Sequence, residues 1–316
     1  MKKLTELVRI RELLKTEYTT QDITLGINSL ETRIGAIANE TPLADVQTDI
    51  NQLTGDFARL HLDLQFSQSR FDLIIDKINQ QIHVEAAHLF TNNYELELRV
   101  EEEAVSNIRK VRVMELSESL QQEIHNRIQV NTNWKYPALE IGCRDGEWTK
   151  HIVAADPLYI TDHYRDFLQS TASQFPDEYQ RRIRPYLVKD TNFDALPQGQ
   201  FGFVFCWNFL NYRSLDTIKE YLKSVKELLR PGGVFMFSYN NGDIVESAGY
   251  AEGFWMTYMP KSMLVPMCES LGFEVYHDRD VRGQGTTVSW LELKRPGTLE
   301  TVKAHQVLGE IKRRDH

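Results

Sequence analysis

The chain has 316 residues, 41% of them apolar and 26% charged, with a formal net charge of -9. That length allows two domains, or one domain with a long appendage, and the composition suits a packed core in a soluble protein. No apolar run nears the roughly 20 residues of a membrane helix, and the acidic balance opposes a general nucleic-acid binder. The three cysteines, Cys143, Cys206 and Cys268, form no CxxC pair that would suggest a disulfide framework or a zinc site.

Charged residues interrupt "MKKLTELVRIRELLK", so no signal peptide is expected and the protein is placed in the cytoplasm. A first helix is expected at about Leu4 to Leu14. A seam of Ile23, Ile27, Leu30, Ile34 and Ile37 follows, and a longer one runs through Val46, Ile50, Leu53, Phe57, Leu60, Leu64, Phe71, Ile74 and Ile78. Steps of four and three make the second seam a heptad pattern. Thr41, with Pro42 and Asp45 in the first turn, supplies its helix start. From Pro42 to about His88 a single helix would reach roughly 70 Å. Its narrow apolar stripe needs a partner helix. Self-association through residues 23–78, as a trimer, is one reading, and an antiparallel bundle within one chain is the other.

After the arm, "YELELRV" alternates Tyr94, Leu96, Leu98 and Val100 against charged residues, and "IRKVRVM" alternates more weakly. A β-hairpin fits that period, as does a charged helix. "LSESLQQEIHNRI" reads as an amphipathic helix with Leu116, Leu120, Ile124 and Ile128 on one face. These segments form a linker over 91–133 between the arm (1–90) and a second domain (134–297), with a helical tail over 298–316.

From residue 138 the pattern changes to short apolar runs separated by helix-length segments: "ALEIG", "LYIT", "RPYLV", "FGFVFCW", "GVFMFSY", "GFEVYHD" and "VSWLELK". Seven such strands with crossovers predict a doubly wound, mainly parallel sheet with an antiparallel end. Ligands of such sheets sit at the carboxyl ends of the strands, which points to the turn after Ile141. Asp156 and Asp162 both compete to end the second strand. Asp156 leaves only about six residues for the intervening helix, whereas Asp162 leaves room for one of about three turns over "GEWTKHIVAAD". Asp162 also lies 22 positions after Glu140, near the roughly 20-residue offset of a ribose-binding acid.

Four stretches in order resemble class I S-adenosylmethionine-dependent methyltransferases: "LEIGCRDGEWT", "YITD", "QFGFVFCWNFLNY" and "YLKSVKELLRPGGVFMFS". Glu140, Gly142 and Gly146 match the first motif, and Arg144 stands where that family has a glycine. The resemblance covers about residues 134–296 and leaves the arm out. It implies a Rossmann-like α/β fold with a seven-stranded methyltransferase sheet, here preceded by an elongated α-helical coiled-coil region. It also implies S-adenosylmethionine as cofactor, with contacts at Glu140, Gly142, Arg144, Gly146, Asp162, Asp190, Cys206 and Trp207. Glu140 and Gly142 would lie at the methionine end, Asp162 on the ribose and Asp190 near the adenine amine.

The acceptor should lie beyond the fourth and fifth strands, near Trp207, Asn208, Asn211, Tyr212, Tyr239 and Asn240. Relatives often carry a histidine there and this chain does not, so His163, His277 and Tyr239 are the candidates for a catalytic group. No residue spacing suggests a metal. "YAEGFWMTYMP" is either a lid with stacking aromatics or a cover for the sheet edge. Two functions follow as expectations: an oligomeric methyltransferase acting on an oxygen of a saccharide or other small molecule, or an assembly protein of a larger particle whose sheet domain has lost catalysis.

Overall fold

In the computed structural model, the described residues are 4–13, 15, 69, 72–100, 116–283 and 286–299. They divide into two compact units, 1–88 and 89–316. In the first, residues 4–13 form helix α1 with Leu4 and Val8 buried one turn apart. The seams over 23–64, the self-association assigned to them and the tail beyond residue 299 lie outside the described residues.

Helix α2 spans residues 72–100. Ile82, Ala86, Leu89, Asn93 and Leu96 are its buried positions, a stripe of fours and threes. This corrects the hairpin alternative for "YELELRV". Of the four alternating residues only Leu96 is buried, while Tyr94 and Leu98 are exposed. The buried set thus follows the helical repeat, which Asn93 and Leu96 continue from the preceding turns, and not a period of two. The second half of the supposed hairpin is outside the described residues.

The second unit is built on a seven-stranded sheet of order β3-β2-β1-β4-β5-β7-β6. Its strands are β1 Ala138–Ile141, β2 Leu158–Asp162, β3 Ile183–Leu187, β4 Phe201–Cys206, β5 Leu229–Tyr239, β6 Glu274–Gly283 and β7 Thr286–Lys294. The first five pair in parallel and β7 pairs antiparallel with both β5 and β6. All seven expected strands are present. The order reverses at β1, so the edge beside β1 and β4 is where such a sheet opens for a ligand.

Alternation along the strands feeds two cores. Leu139, Ile141, Val204 and Cys206 pack on one face with Tyr221, Leu222 and Val225 of α6 (Leu215–Leu228). Ala138, Phe203, Phe205 and Trp207 pack on the other with Leu120, Ile124 and Ile128 of α3 (Glu118–Asn131). A register shift between Phe201 and Phe203 puts Phe201 with the first set. The expected α3 stripe is the one buried. Ser117 caps its start, and Arg127 holds the fully buried Glu292 of β7 by paired 2.6 Å hydrogen bonds. A bidentate arginine satisfies both oxygens of a buried carboxylate with short hydrogen bonds.

The remaining helices are α4 Arg165–Ser173, α5 Asp177–Gln180, α7 Val245–Glu252 and α8 Lys261–Ser270. The expected helix over "GEWTKHIVAAD" is instead one 3-10 turn, Thr149–His151. Trp148, Thr149, Ile152 and Ala155 are all buried, so packing under the sheet replaces the predicted three turns. No described helix is long and apolar enough to cross a membrane.

Candidate functional site

A cavity of about 60 Å³ lies at the carboxyl ends of the strands, lined by Val100, Arg144, Asp162, His163, Tyr164, Phe167, Asn208, Phe209, Tyr212 and Arg213. Its lining comes from the turn after β1, the end of β2 with the start of α4, the segment after β4, and the end of α2.

The turn after β1 explains the arginine. Gly142, Arg144 and Gly146 all have positive φ, at 72°, 48° and 80°. Glycine adopts such angles freely, and arginine at some cost. The backbone of Arg144 is well used: its N–H donates to Asp162 Oδ2 at 3.0 Å and its carbonyl accepts from Thr171 at 2.8 Å. Gly142 is required for space as well, because a Cβ there would lie 2.6 Å from the Phe209 ring.

Asp162 ends β2 and is buried. Its second oxygen accepts from Tyr164 N–H at 3.0 Å, turning the chain into α4. Burial pushes its pKa up, while the backbone N–H groups of Arg144, Tyr164 and His163 and the positive Arg144 side chain oppose that rise. A carboxylate has about four acceptor sites. Backbone N–H groups use part of that capacity on Asp162, and the remainder suits a donor in the cavity such as a ribose hydroxyl.

His163 lines the same cavity. Its Nε2 is 3.4 Å from the Tyr221 hydroxyl and its ring meets Phe209 edge-on. Burial, with help from Arg213, lowers its pKa to about 4. The imidazole is therefore neutral at physiological pH.

Other expected residues are placed elsewhere. Glu140 does not line the cavity. It is buried and accepts from Thr149 at 2.5 Å, and burial raises its pKa to about 8. Cys206 is buried in the α6-side core, and Trp207 stacks on Phe205 among the aromatics of the α3 side. The Asp190 carboxylate accepts from Asn192 N–H at 2.9 Å.

His277 lies on β6 beside Trp290, at a ring separation of 6.2 Å. Tyr239 is buried in the sheet core, which drives its pKa upward. Neither lines the cavity. Arg144, Asp162, His163, Asn208 and Tyr212 are the expected residues that do. Phe209, Arg213, Tyr164, Phe167 and Val100 were missed. For Arg213 a signal existed: an arginine directly before the capping Ser214 of α6. No group of His, Cys, Asp and Glu among the described residues could hold a metal.

Residues 139–235, which include the glycine turn, Asp162, Phe209 and Arg213, match the family model of a methyltransferase domain. No curated protein matches the chain.

Among solved structures it resembles the N-methyltransferase NodS from Bradyrhizobium japonicum WM9 in complex with S-adenosyl-l-homocysteine, at 14% identity and TM-score 0.48 over 65% of this chain and 99% of that one. It resembles the [4+2]-cyclase SpnF at 10% identity and TM-score 0.48, over 65% and 94% of the two chains. Geranyl diphosphate C-methyltransferase from Streptomyces coelicolor A3(2) follows at 9% identity and TM-score 0.47, over 56% and 79%. The cavity lies at the carboxyl ends of β1, β2 and β4, the edge at which open α/β sheets bind their ligands.

Proposed function

We propose that the cavity around Asp162 is the S-adenosylmethionine pocket and that the enzyme methylates an oxygen of a small acceptor, a saccharide or related polyol. The observation that carries the cofactor placement is the Asp162 carboxylate. It is fixed by two backbone N–H groups at 3.0 Å, keeps acceptor capacity, and lines the cavity. Arg144 supports the reading. Its left-handed backbone keeps the turn open in the way a glycine would, so the arginine is no sign of a degenerate site. The cavity volume equals only a few waters at about 10–15 Å³ each, so a nucleoside must displace side chains at the rim.

The cofactor supplies an electrophilic methyl on a sulfonium, and in such an in-line displacement alignment provides most of the rate. Asn208 and Tyr212 line the side of the cavity contributed by the segment after β4 and offer hydrogen bonds to a hydroxylated acceptor. His163, which lines the cavity and stays neutral well below pH 7, would take the hydroxyl proton. Such a weak base suffices because the acceptor oxygen, as it bonds to the methyl and the thioether leaves, becomes a strongly acidic oxonium that gives up its proton.

Calorimetric titration of the full chain with S-adenosylhomocysteine tests the placement. Saturable micromolar binding is expected, and none at millimolar ligand would remove it. Self-association through residues 23–78, as a trimer, belongs to the same proposal. Ultracentrifugation showing a monomer at micromolar concentration would overturn that part alone.

A further inference from the structure

We infer that Glu97, near the end of α2, is a positioning residue of the cofactor pocket: its carboxylate fixes Arg213, and Arg213 fixes the Phe209 ring that forms the wall over Gly142. The inference rests on the cofactor reading of the cavity given above.

Glu97 lies outside the matched segment 139–235, on a helix whose last turns dock on the sheet domain through several polar contacts. Asn93 pairs both ends of its amide with the backbone of Tyr258, at 3.0 and 2.8 Å. Arg99 donates to Phe254 O at 2.6 Å and lies over the Phe254 ring. Tyr94 hydrogen-bonds Asp216.

Glu97 itself reaches the start of α6. Its Oε2 accepts from Ser214 N–H at 3.0 Å and from the Thr217 hydroxyl at 3.1 Å, while Oε1 faces Arg213 Nη1 at 3.5 Å. A helix N-terminus favours a carboxylate there. The Arg213 and Glu97 side chains are 6% and 13% exposed, so water and salt screen the pair little.

From Arg213 the order passes to the pocket. Its guanidinium carbon sits 4.4 Å from the Phe209 ring centre, a cation-π distance at which a shielded cation holds a ring in place. Phe209 meets Tyr221 and His163 edge-on, at 5.5 and 5.4 Å. On its remaining side it closes on Gly142, where only the missing Cβ makes room. Arg213, Phe209 and His163 all line the cavity. Removing the Glu97 charge weakens the hold on the buried guanidinium and shifts its position. That shift leaves the Phe209 wall unsupported.

The test uses the full chain and S-adenosylhomocysteine as the probe, with affinity measured by calorimetry and stability by thermal melting. Glu97→Gln keeps the shape and removes the charge, and Arg213→Met removes the cation. Each is expected to weaken binding about tenfold. The double variant should be no weaker than the worse single one, because both act along one path. Glu95→Gln, at an exposed position on the same helix, should bind like the parent. If Glu97 only capped α6, Glu97→Gln would lower the melting temperature and leave affinity unchanged, which overturns the inference, as do additive losses in the double variant. Should Arg213→Met fail to fold, Phe209→Leu takes its place: in that background Glu97→Gln should have no further effect, and a second tenfold loss would refute the path through the ring. A parent that does not bind the probe at all removes the pocket reading and the inference together. A parent that binds while Glu97→Gln binds equally rejects the positioning role alone.

Discussion

Residues 138–162 and residues 89–100 meet at one cavity, but they are ordered in different ways. The first stretch is local: a strand, a turn of three positive-φ residues and an aspartate that bonds the turn's own N–H. The second is tertiary: a helix whose Asn93, Glu97 and Arg99 are satisfied by Tyr258, Ser214 and Phe254, each more than a hundred residues away. A pocket floor made by local turn chemistry is held by contacts within one stretch of chain. A wall made by a distant helix is specific to the chain that carries it.

The harshest way to break the comparison is to remove the wall and keep the floor. A chain beginning at residue 89 retains every contact of the second unit and is expected to bind S-adenosylhomocysteine like the full protein. One beginning at residue 116 exposes the Tyr258 backbone and the start of α6, each buried polar group costing about 1–3 kcal/mol when left unpaired. Loss of measurable binding and a lower melting temperature are expected. Equal binding by both chains would show the wall to be dispensable. Next in size is Asp162→Ala, which keeps the wall and removes the acceptor from the floor. Loss of charge-assisted bonds worth about 1.5–3 kcal/mol weakens binding by roughly 10- to 150-fold. An unchanged calorimetric affinity would assign the ribose contact elsewhere.

How much was legible in the sequence follows the same division. The seven strands were readable because apolar runs of strand length stood between turn signals, and Asp162 because spacing left room for it alone. Yet that argument supposed a three-turn helix before β2, and the structure has one 3-10 turn with buried Trp148 and Thr149. The conclusion survived because the length of chain was right although its conformation was not. Glu140 and Trp207 were read toward the ligand from motif position. Their side chains instead point into the packed layer beneath, to Thr149 and Phe205. Arg213 offered only its place before the capping Ser214 as a signal and Phe209 none, since Glu97 and Gly142, which they meet, are brought near only by the fold.

Glu140 gives a smaller test within the floor. Its folded pKa of about 8 lies above the ordinary 4.5 of a glutamate, chiefly through burial. The folded state therefore holds its proton more tightly than the unfolded one. The stability this contributes is complete below about pH 4.5 and is lost as pH rises toward 8. Glu140→Gln removes that slope while keeping a group able to bond Thr149. The variant is expected to melt near the parent temperature at pH 5 and above it at pH 8.5, with S-adenosylhomocysteine affinity little changed. A large loss of affinity at both pH values would restore Glu140 to the cofactor site. His151 and His163, both lowered to about 4 mainly by burial, act with the opposite sign. Their stabilising effect is present above about pH 6.5 and lost as pH falls toward 4, so comparison of parent and variant above pH 7 isolates Glu140.

The smallest effect expected is at Arg144, where floor and wall face each other across the cavity. Its φ of 48° costs a non-glycine residue about 1–2 kcal/mol, whereas glycine loses roughly 0.5–1 kcal/mol through the added freedom of its unfolded chain. These opposing terms leave Arg144→Gly between neutral and about 1.5 kcal/mol more stable, a shift of a few degrees at most in a melting curve. The Asp162 bond comes from the backbone N–H and is kept. Binding of S-adenosylhomocysteine should therefore change little if the arginine acts only through its backbone, and should weaken several-fold if its guanidinium holds the ligand carboxylate. Arg144→Met separates the two cases, because it keeps the strained backbone and the side-chain bulk while removing the charge. Affinity lost equally in the glycine and methionine variants assigns the guanidinium to the ligand. Affinity kept in both leaves Arg144 a residue that takes a glycine's conformation and does a glycine's task.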